Sequence, residues 1–228
     1  MTGARPGWHT LTRVWGGLEL RELGAGEFLA NLDACTRVYA AAMNPPEYQL
    51  PGRHSIMERH AGYAAFRAIA VIQAAGAGAA GDGPAWSSPG GNGPLIAFAY
   101  GFHGEGGQWW HDLVSQAVTS VCGRETAVDW LTDSFEIAEV HVLPGHQGQG
   151  TGQAMMQRLT AGRPERTAVL STMDTESPAR RLYRTAGFTD LLTGFRFSGG
   201  EPAYAVMGAR LPLWSPPRDP EDDAPDQP

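Results

Sequence analysis

Glu139 and His141 stand two residues apart in the strand-like run from Phe135 to Val142. Residues spaced by two on a strand project to the same side, so one face carries a carboxylate and an imidazole while Val140 and Val142 turn to the other. A run otherwise made of Phe135, Ile137, Ala138, Val140 and Val142 has no packing reason to carry both. Such a pair can take a proton from a nucleophile: Glu139 directly or through water, with His141 as the next candidate base. The bland reading is a hydrogen-bonded pair on a sheet face. Burial is expected to raise the carboxyl's proton affinity and lower the imidazole's, bringing both toward neutrality.

The same strand runs into Leu143-Pro144-Gly145-His146-Gln147-Gly148-Gln149-Gly150-Thr151-Gly152, where proline ends the strand and a glycine-rich turn enters a helix. Residues without side chains let backbone N–H groups converge on a ligand, and the helix start adds the positive end of its dipole. This is an anion cradle, and its ligand is narrowed by what is missing. All seventeen basic residues are arginine, so the lysine of a GxxxxGK[ST] nucleotide loop is absent and that chemistry is excluded. The dinucleotide fingerprint G-x-G-x-x-G is out of register, because Gly148 and Gly150 are followed by Gly152 and then Gln153.

Two ordered motifs carry a family resemblance. Gln147-x-x-Gly150-x-Gly152 is similar to the pyrophosphate signature R/Q-x-x-G-x-G/A of the GNAT-type N-acetyltransferases, and Ser177-Pro178-Ala179-Arg180-Arg181-Leu182-Tyr183-Arg184-Thr185-Ala186-Gly187-Phe188 resembles the family's N-x-x-A-x-x-L-Y-x-x-x-G-F helix. The resemblance implies an α/β fold with a mixed, mostly antiparallel sheet of about seven strands, flanked by helices and splayed at the cofactor strand. It implies acetyl-CoA as acyl donor, with the pantetheine chain along Val140, His141 and Val142. The pyrophosphate would sit on the N–H groups of Gly148, Gln149, Gly150, Thr151, Gly152 and Gln153, with the Gln147 side chain as a neutral donor where arginine is commoner. Ser177 and Ala179 fall at cofactor-contacting positions of the second motif. Glu176 stands where that motif usually has asparagine, leaving Ser177 as the polar contact and a cap for the helix. Tyr183 occupies the family's tyrosine, which hydrogen-bonds the departing sulfur and gives it a proton; the alternative is a ring that merely packs.

The activity implied is transfer of acetyl to a primary amine of a small molecule or protein N-terminus by direct attack in a ternary complex. The alternative is a non-catalytic acyl-CoA sensor or scaffold. Arg180 and Arg181 are candidates for the ribose phosphate, with a solvated helix face as the default, and His146 sits beside the phosphates. Trp109, Trp110, His111 and Asp112, with Phe195 and Phe197, are candidate walls of an amine pocket; equally, the tryptophans pack a helical insertion onto the sheet.

These residues need a single domain to hold them, expected over residues 13–211 of the 228. The helix from Glu27 ends at Asn44-Pro45-Pro46, and shorter elements lead to a buried central strand at Leu95–Gly101. Residues 74–94 are a low-complexity insertion of Gly, Ala, Ser and Pro expected to form no core, and 103–133 a helical insertion. The order expected is β-α-α-β-β-β-α-β-α-β-β, with residues 13–23 as one first strand. A flexible N-terminus (1–12) and a disordered, acidic, proline-rich tail (212–228) flank the domain; five acids and one arginine in 215–228 account for −4 of the net charge of −7. No basic patch suggests nucleic acid, and no apolar run suggests a membrane span or signal peptide. A cytoplasmic monomer or homodimer is expected, without metal. Cys35 and Cys122 lack ligand or disulfide spacing and are read as buried free thiols.

Overall fold

The computed structural model describes residues 13–15, 17–74, 83–88, 91–197 and 202–213; the expected N-terminal segment and most of the acidic tail lie outside them. The first strand is two: β1 (Arg13–Trp15) and β2 (Leu18–Leu23) form a hairpin turning at Gly17, which takes φ 77°. A left-handed residue there is natural to glycine, and it folds back what reads in sequence as one run. The expected first helix is likewise α1 (Ala25–Ala30) and α2 (Leu32–Met43), and α3 (Leu50–His60) comes after a short turn. α2 ends at Asn44 in the left-handed region, ahead of the two prolines. Then come β3 (Arg67–Gln73), β4 (Ala85–Ser88), β5 (Gly91–Gly104), α4 (Trp109–Cys122), α5 (Arg124–Leu131), β6 (Ser134–Val142), α6 (Thr151–Thr160), β7 (Thr167–Met173), α7 (Pro178–Thr185), β8 (Thr189–Phe195) and β9 (Tyr204–Arg210).

The strands run β1-β2-β3-β5-β6-β7-β9-β8, eight in a continuous path against the seven or so expected, with β4 paired to β5. Every pairing is antiparallel except β6 with β7. The 74–94 stretch does contribute to the core: Trp86 on β4 is 2% exposed, because pairing with the start of β5 folds its indole inward among the β3 and β5 side chains. Low complexity on either side of one large aromatic hid that anchor.

Cross-strand partners sort the helices into two layers. Phe28 of α1 packs on Phe98 and Tyr100, Tyr39 of α2 on His141, and His60 of α3 on Tyr100 and Phe102. Val114 and Val118 of α4 share a cluster with Val169 and Val206, so α1–α5 cover one face. On the opposite face Arg67 donates to the carbonyls of Leu159 and Ala161 at the end of α6. A Cβ on Gly152 would stand 3.1 Å from Leu182 Cδ2, so α7 closes against the start of α6 there. Cys35 is buried as expected, with its thiol pushed up to about 12 by burial, whereas Cys122 is exposed at the end of α4. Among the described residues no helix is long and apolar enough to cross a membrane, and no group of three His, Cys, Asp or Glu side chains is disposed to hold a metal.

Candidate active site

β6 and β7 pair only from Ser134–Glu136 to Thr167–Val169. β6 continues to Val142 against β5, and β7 to Met173 against β9, so beyond Glu136 the two parallel strands part. Their facing edges, including Val140, His141 and Val142, open a slot through the sheet. The parting gives the turn after β6 room to clear the sheet before α6 packs back across it.

At the open end of the slot lies the glycine turn. Gly148 and Gly150 have φ 74° and 82°, left-handed values that cost an ordinary residue about 1 kcal/mol or more. Gly150 is the N-cap of α6 and gives it no side-chain cap, so the first N–H groups of the helix stay open for an anion. Thr151 Oγ1 is buried there without a hydrogen-bond partner. The Gln147 amide, expected as a free donor, instead donates to Val142 O at 3.0 Å and holds the turn against the strand end; the Gln149 amide donates to Gly145 O at 3.3 Å. An uncapped helix start, two left-handed glycines and an orphaned hydroxyl fit a pyrophosphate.

From α7, Tyr183 is buried, with its ring 5.9 Å from that of Phe188. Burial, and then the negative charge of Glu139, pushes its phenol well above the ordinary tyrosine range. Ser177 caps α7, accepting from Arg180 N at 3.1 Å, with Ala179 in the first turn. Arg180 is not on a solvated face: it is 5% exposed and bridges Asp174 and Asp190, the latter at 2.7 Å. The long arginine reaches two acids on neighbouring segments that no local sequence pattern connects to it, and it is withdrawn from any phosphate. Glu176 pairs with Arg184 at 2.6 Å.

Glu139 and His141 are both 8% exposed and joined by a short hydrogen bond between Oε2 and Nε2. The other oxygen of Glu139 accepts from Arg53 Nη1 on α3 at 2.7 Å. Burial alone would raise this carboxyl, but the charges of His141 and Arg53 outweigh it and hold Glu139 below the usual carboxylate range. The shift toward neutrality expected for this carboxyl is therefore reversed, first by its neighbour His141 and then by an arginine 86 residues away in sequence. Arg53 also lies over the Tyr39 ring, 4.9 Å from its centroid. Tyr39 in turn meets the His141 ring edge-on at 5.1 Å.

A further acid was not singled out in sequence. Ala138 has no partner in the β5 ladder: Tyr100 pairs with Glu139 and Gly101 with Ile137. This β-bulge brings Glu136, opposite Phe102, onto the Glu139 and His141 face. Glu136 is 4% exposed, its Oε2 has no partner, and burial pushes it up to about 8.

Of the expected amine-pocket residues, Trp110 Nε1 donates to Ser171 Oγ at 3.0 Å, tying α4 to the part of β7 that has parted from β6. Asp112 accepts from Gly107 N at the start of α4, and His111 Nε2 contacts Leu131 O at 3.2 Å, so both serve the helix ends. Trp109 is exposed and lies against Phe197 at 5.5 Å, beside Phe195 and Tyr204. A depression of about 350 Å³ opens instead by α3, lined by Tyr39, Tyr48, Gln49, Gly52, Arg53 and Ile56.

Residues 109–190, spanning slot, turn and Tyr183 helix, match the model of the GNAT acetyltransferase domain. Over 189 residues, 79% of this chain and 91% of the relative, the sequence is 36% identical to a GCN5-like protein acetyltransferase of Mycobacterium tuberculosis. The chain belongs to the GNAT acetyltransferase family. The fold agrees. A GNAT-family structure from Desulfovibrio desulfuricans superposes with TM-score 0.52 at 12% identity, covering 85% of this chain and 98% of that one. The ribosomal-protein-S18-alanine N-acetyltransferase of Escherichia coli gives 0.50 at 14%, covering 85% and 93%. This GNAT chain is thus an acetyltransferase with the mixed, mostly antiparallel sheet of its family, and the family's donor is acetyl-CoA.

Proposed function

We propose that this acetyltransferase moves the acetyl group of acetyl-CoA onto a primary amine of a small molecule or a protein N-terminus, by direct attack in a ternary complex. The observation that carries this reading is the slot between β6 and β7, with the uncapped start of α6 on one face of the sheet and the Glu139–His141 pair on the other. Val140, His141 and Val142 border the slot on the side away from β5, where the donor's pantetheine arm would run, with the Val142 carbonyl already taken by the Gln147 amide. Gly148 to Gln153 offer N–H groups to its pyrophosphate, with Ser177 and Ala179 at the rim.

Both oxygens of Glu139 are engaged, one by the Arg53 guanidinium and the other by the His141 ring, so it serves best as the fixed anion of the pair. It holds the His141 ring by Nε2 and leaves Nδ1 to accept the proton of the acceptor ammonium. The freed amine attacks the thioester carbon, the attacking nitrogen gives its second proton to solvent as the carbon–sulfur bond breaks, and Tyr183 donates a hydrogen bond to the leaving sulfur. An ordinary phenol, near about 10, is already a weaker acid than a thiol near about 8.5, and Tyr183 is shifted further up. Its contribution is hydrogen bonding to developing thiolate charge, with the final proton taken from solvent. A second reading makes Glu136 the proton acceptor, favoured by its orphaned oxygen at the head of the slot and its position near neutrality.

The test is release of free CoA from acetyl-CoA against a panel of amines, with His141→Ala and Glu136→Gln run in parallel. Loss of turnover in His141→Ala alone supports the first assignment, and loss in Glu136→Gln alone the second. If neither loss occurs, both assignments fail.

A further inference from the structure

Arg53 and His141 grip opposite oxygens of the same carboxylate, Glu139. They therefore stand one carboxylate's width apart, one bearing a permanent charge and the other proposed to take the acceptor's proton. Arg53 is engaged with Glu139 through one terminal nitrogen, and its side chain is 35% exposed. A guanidinium has five N–H donors in a planar fork suited to a carboxylate. Arg53 also meets the Tyr39 side chain and lines the depression by α3, where it is the single charged lining residue among the described residues. The other polar groups there are the Tyr39 hydroxyl, a partner of Arg53, and the Tyr48 hydroxyl and Gln49 amide, which are joined at 3.3 Å and exposed to solvent. This wall offers an ammonium no anion, and offers an anion a charged fork with neutral hydrogen-bonding groups around it.

The geometry points to Arg53 as the residue that selects the acceptor, by taking a carboxylate that the acceptor carries within a few atoms of its nucleophilic amine. The chemistry shared by the acceptors is an amine and a carboxylate on one residue-sized unit, as in a free α- or β-amino acid or an acidic first residue of a peptide. A polyamine lacks it. The inference rests on the transfer reading above, since it uses His141 to mark where the amine sits. It also gives Arg53 a second task besides holding Glu139, for which one nitrogen is enough.

The test compares matched acceptors on the full chain with acetyl-CoA: glycine against ethylamine, β-alanine against propylamine, peptides beginning with Asp or Glu against the same peptides beginning with Asn or Gln, and spermidine. Wild type is expected to favour each carboxylate-bearing member at least tenfold in kcat/KM. Arg53→Met is expected to erase most of that preference through KM. Gln49→Glu changes an exposed residue and leaves the Arg53–Glu139 contact intact; it is expected to raise KM for the carboxylate-bearing members only. Free amino acids and peptides tell the two sources apart.

Equal losses for both members of each pair in Arg53→Met would make Arg53 a positioning residue for Glu139 alone and overturn the inference, as would a wild-type preference for spermidine. A thermal-shift arm with CoA plus each acceptor reads binding without turnover. Carboxylate-dependent stabilisation that Arg53→Met abolishes supports the subsite even if no acetyl is transferred, which would fault the transfer reading alone. Absence of any such stabilisation overturns the subsite.

Discussion

Glu136 and Glu139 are three residues apart on β6 yet face the same layer of helices, because the bulge at Ala138 removes one residue from the alternation. They differ in company. Glu139 is held ionised by Arg53 and His141, while Glu136 lies buried with an unpartnered oxygen and titrates near about 8. One strand thus carries two carboxyls pushed in opposite directions at the head of the slot, a disposition common where acid and base roles are divided.

The raised titration of Glu136 is a statement about stability. Its folded value lies above the unfolded one, so the native state binds the proton more tightly. The resulting stabilisation is complete below the unfolded value, about 4.3, and is lost progressively as pH rises through about 8. Above that, the buried charge costs on the order of 5 kcal/mol. Glu136→Gln is expected to lose less stability than wild type between pH 6 and pH 9, measured by chemical denaturation at each pH. Parallel curves would show that the carboxyl is not shifted.

Tyr183→Phe keeps the buried ring and removes the hydroxyl. Turnover under saturating substrates is expected to fall about ten- to a hundredfold, within or below the range for loss of a proton-transfer group. Binding of CoA, measured by calorimetry, is expected to change little. Full turnover in the variant would reduce Tyr183 to packing.

Glu139→Gln and His141→Ala should separate holding from accepting. With His141 as acceptor, the alanine variant is expected to lose about a hundredfold or more in kcat. The glutamine variant retains a ring partner without its charge and is expected to lose less. The same ordering in kcat/KM across pH checks it, and a larger loss in Glu139→Gln would return the base to Glu139.

Trp86 anchors β4 and is 2% exposed. Trp86→Ala is expected to destabilise the fold by about 3–5 kcal/mol, read from urea unfolding. A cost below about 1 kcal/mol would mean that the β4 hairpin is dispensable to the core.

What could be read from the sequence was local. Gly148 and Gly150 after Pro144 mark a turn that leads into a helix, and the spacing of Glu139 and His141 on an alternating strand puts them on one face. Both motifs lie in contiguous segments. The bulge at Ala138 is set by the ladder that β6 makes with β5, and alternation alone sends Glu136 to the wrong side. Arg53 meets Glu139 only through the packing of α3 on the sheet, and Arg180 is withdrawn from the surface by Asp174 and Asp190. Trp86 is a single aromatic in a stretch whose composition argues for a loop, yet strand pairing buries it.

The most direct measurement of acetyl transfer at the β6–β7 slot is the rate of CoA release from acetyl-CoA in the presence of primary amines, for wild type and Gly150→Glu. Gly150 has φ 82° at the N-cap of α6, so glutamate there strains the turn and sets a negative charge where the pyrophosphate is proposed to bind. The expected result is amine-dependent CoA release by wild type, reduced at least a hundredfold in a folded Gly150→Glu variant that no longer binds CoA. Equal amine-dependent release by the two proteins would contradict the assignment of the turn, and a wild type that binds acetyl-CoA but acetylates no amine would contradict the reaction itself.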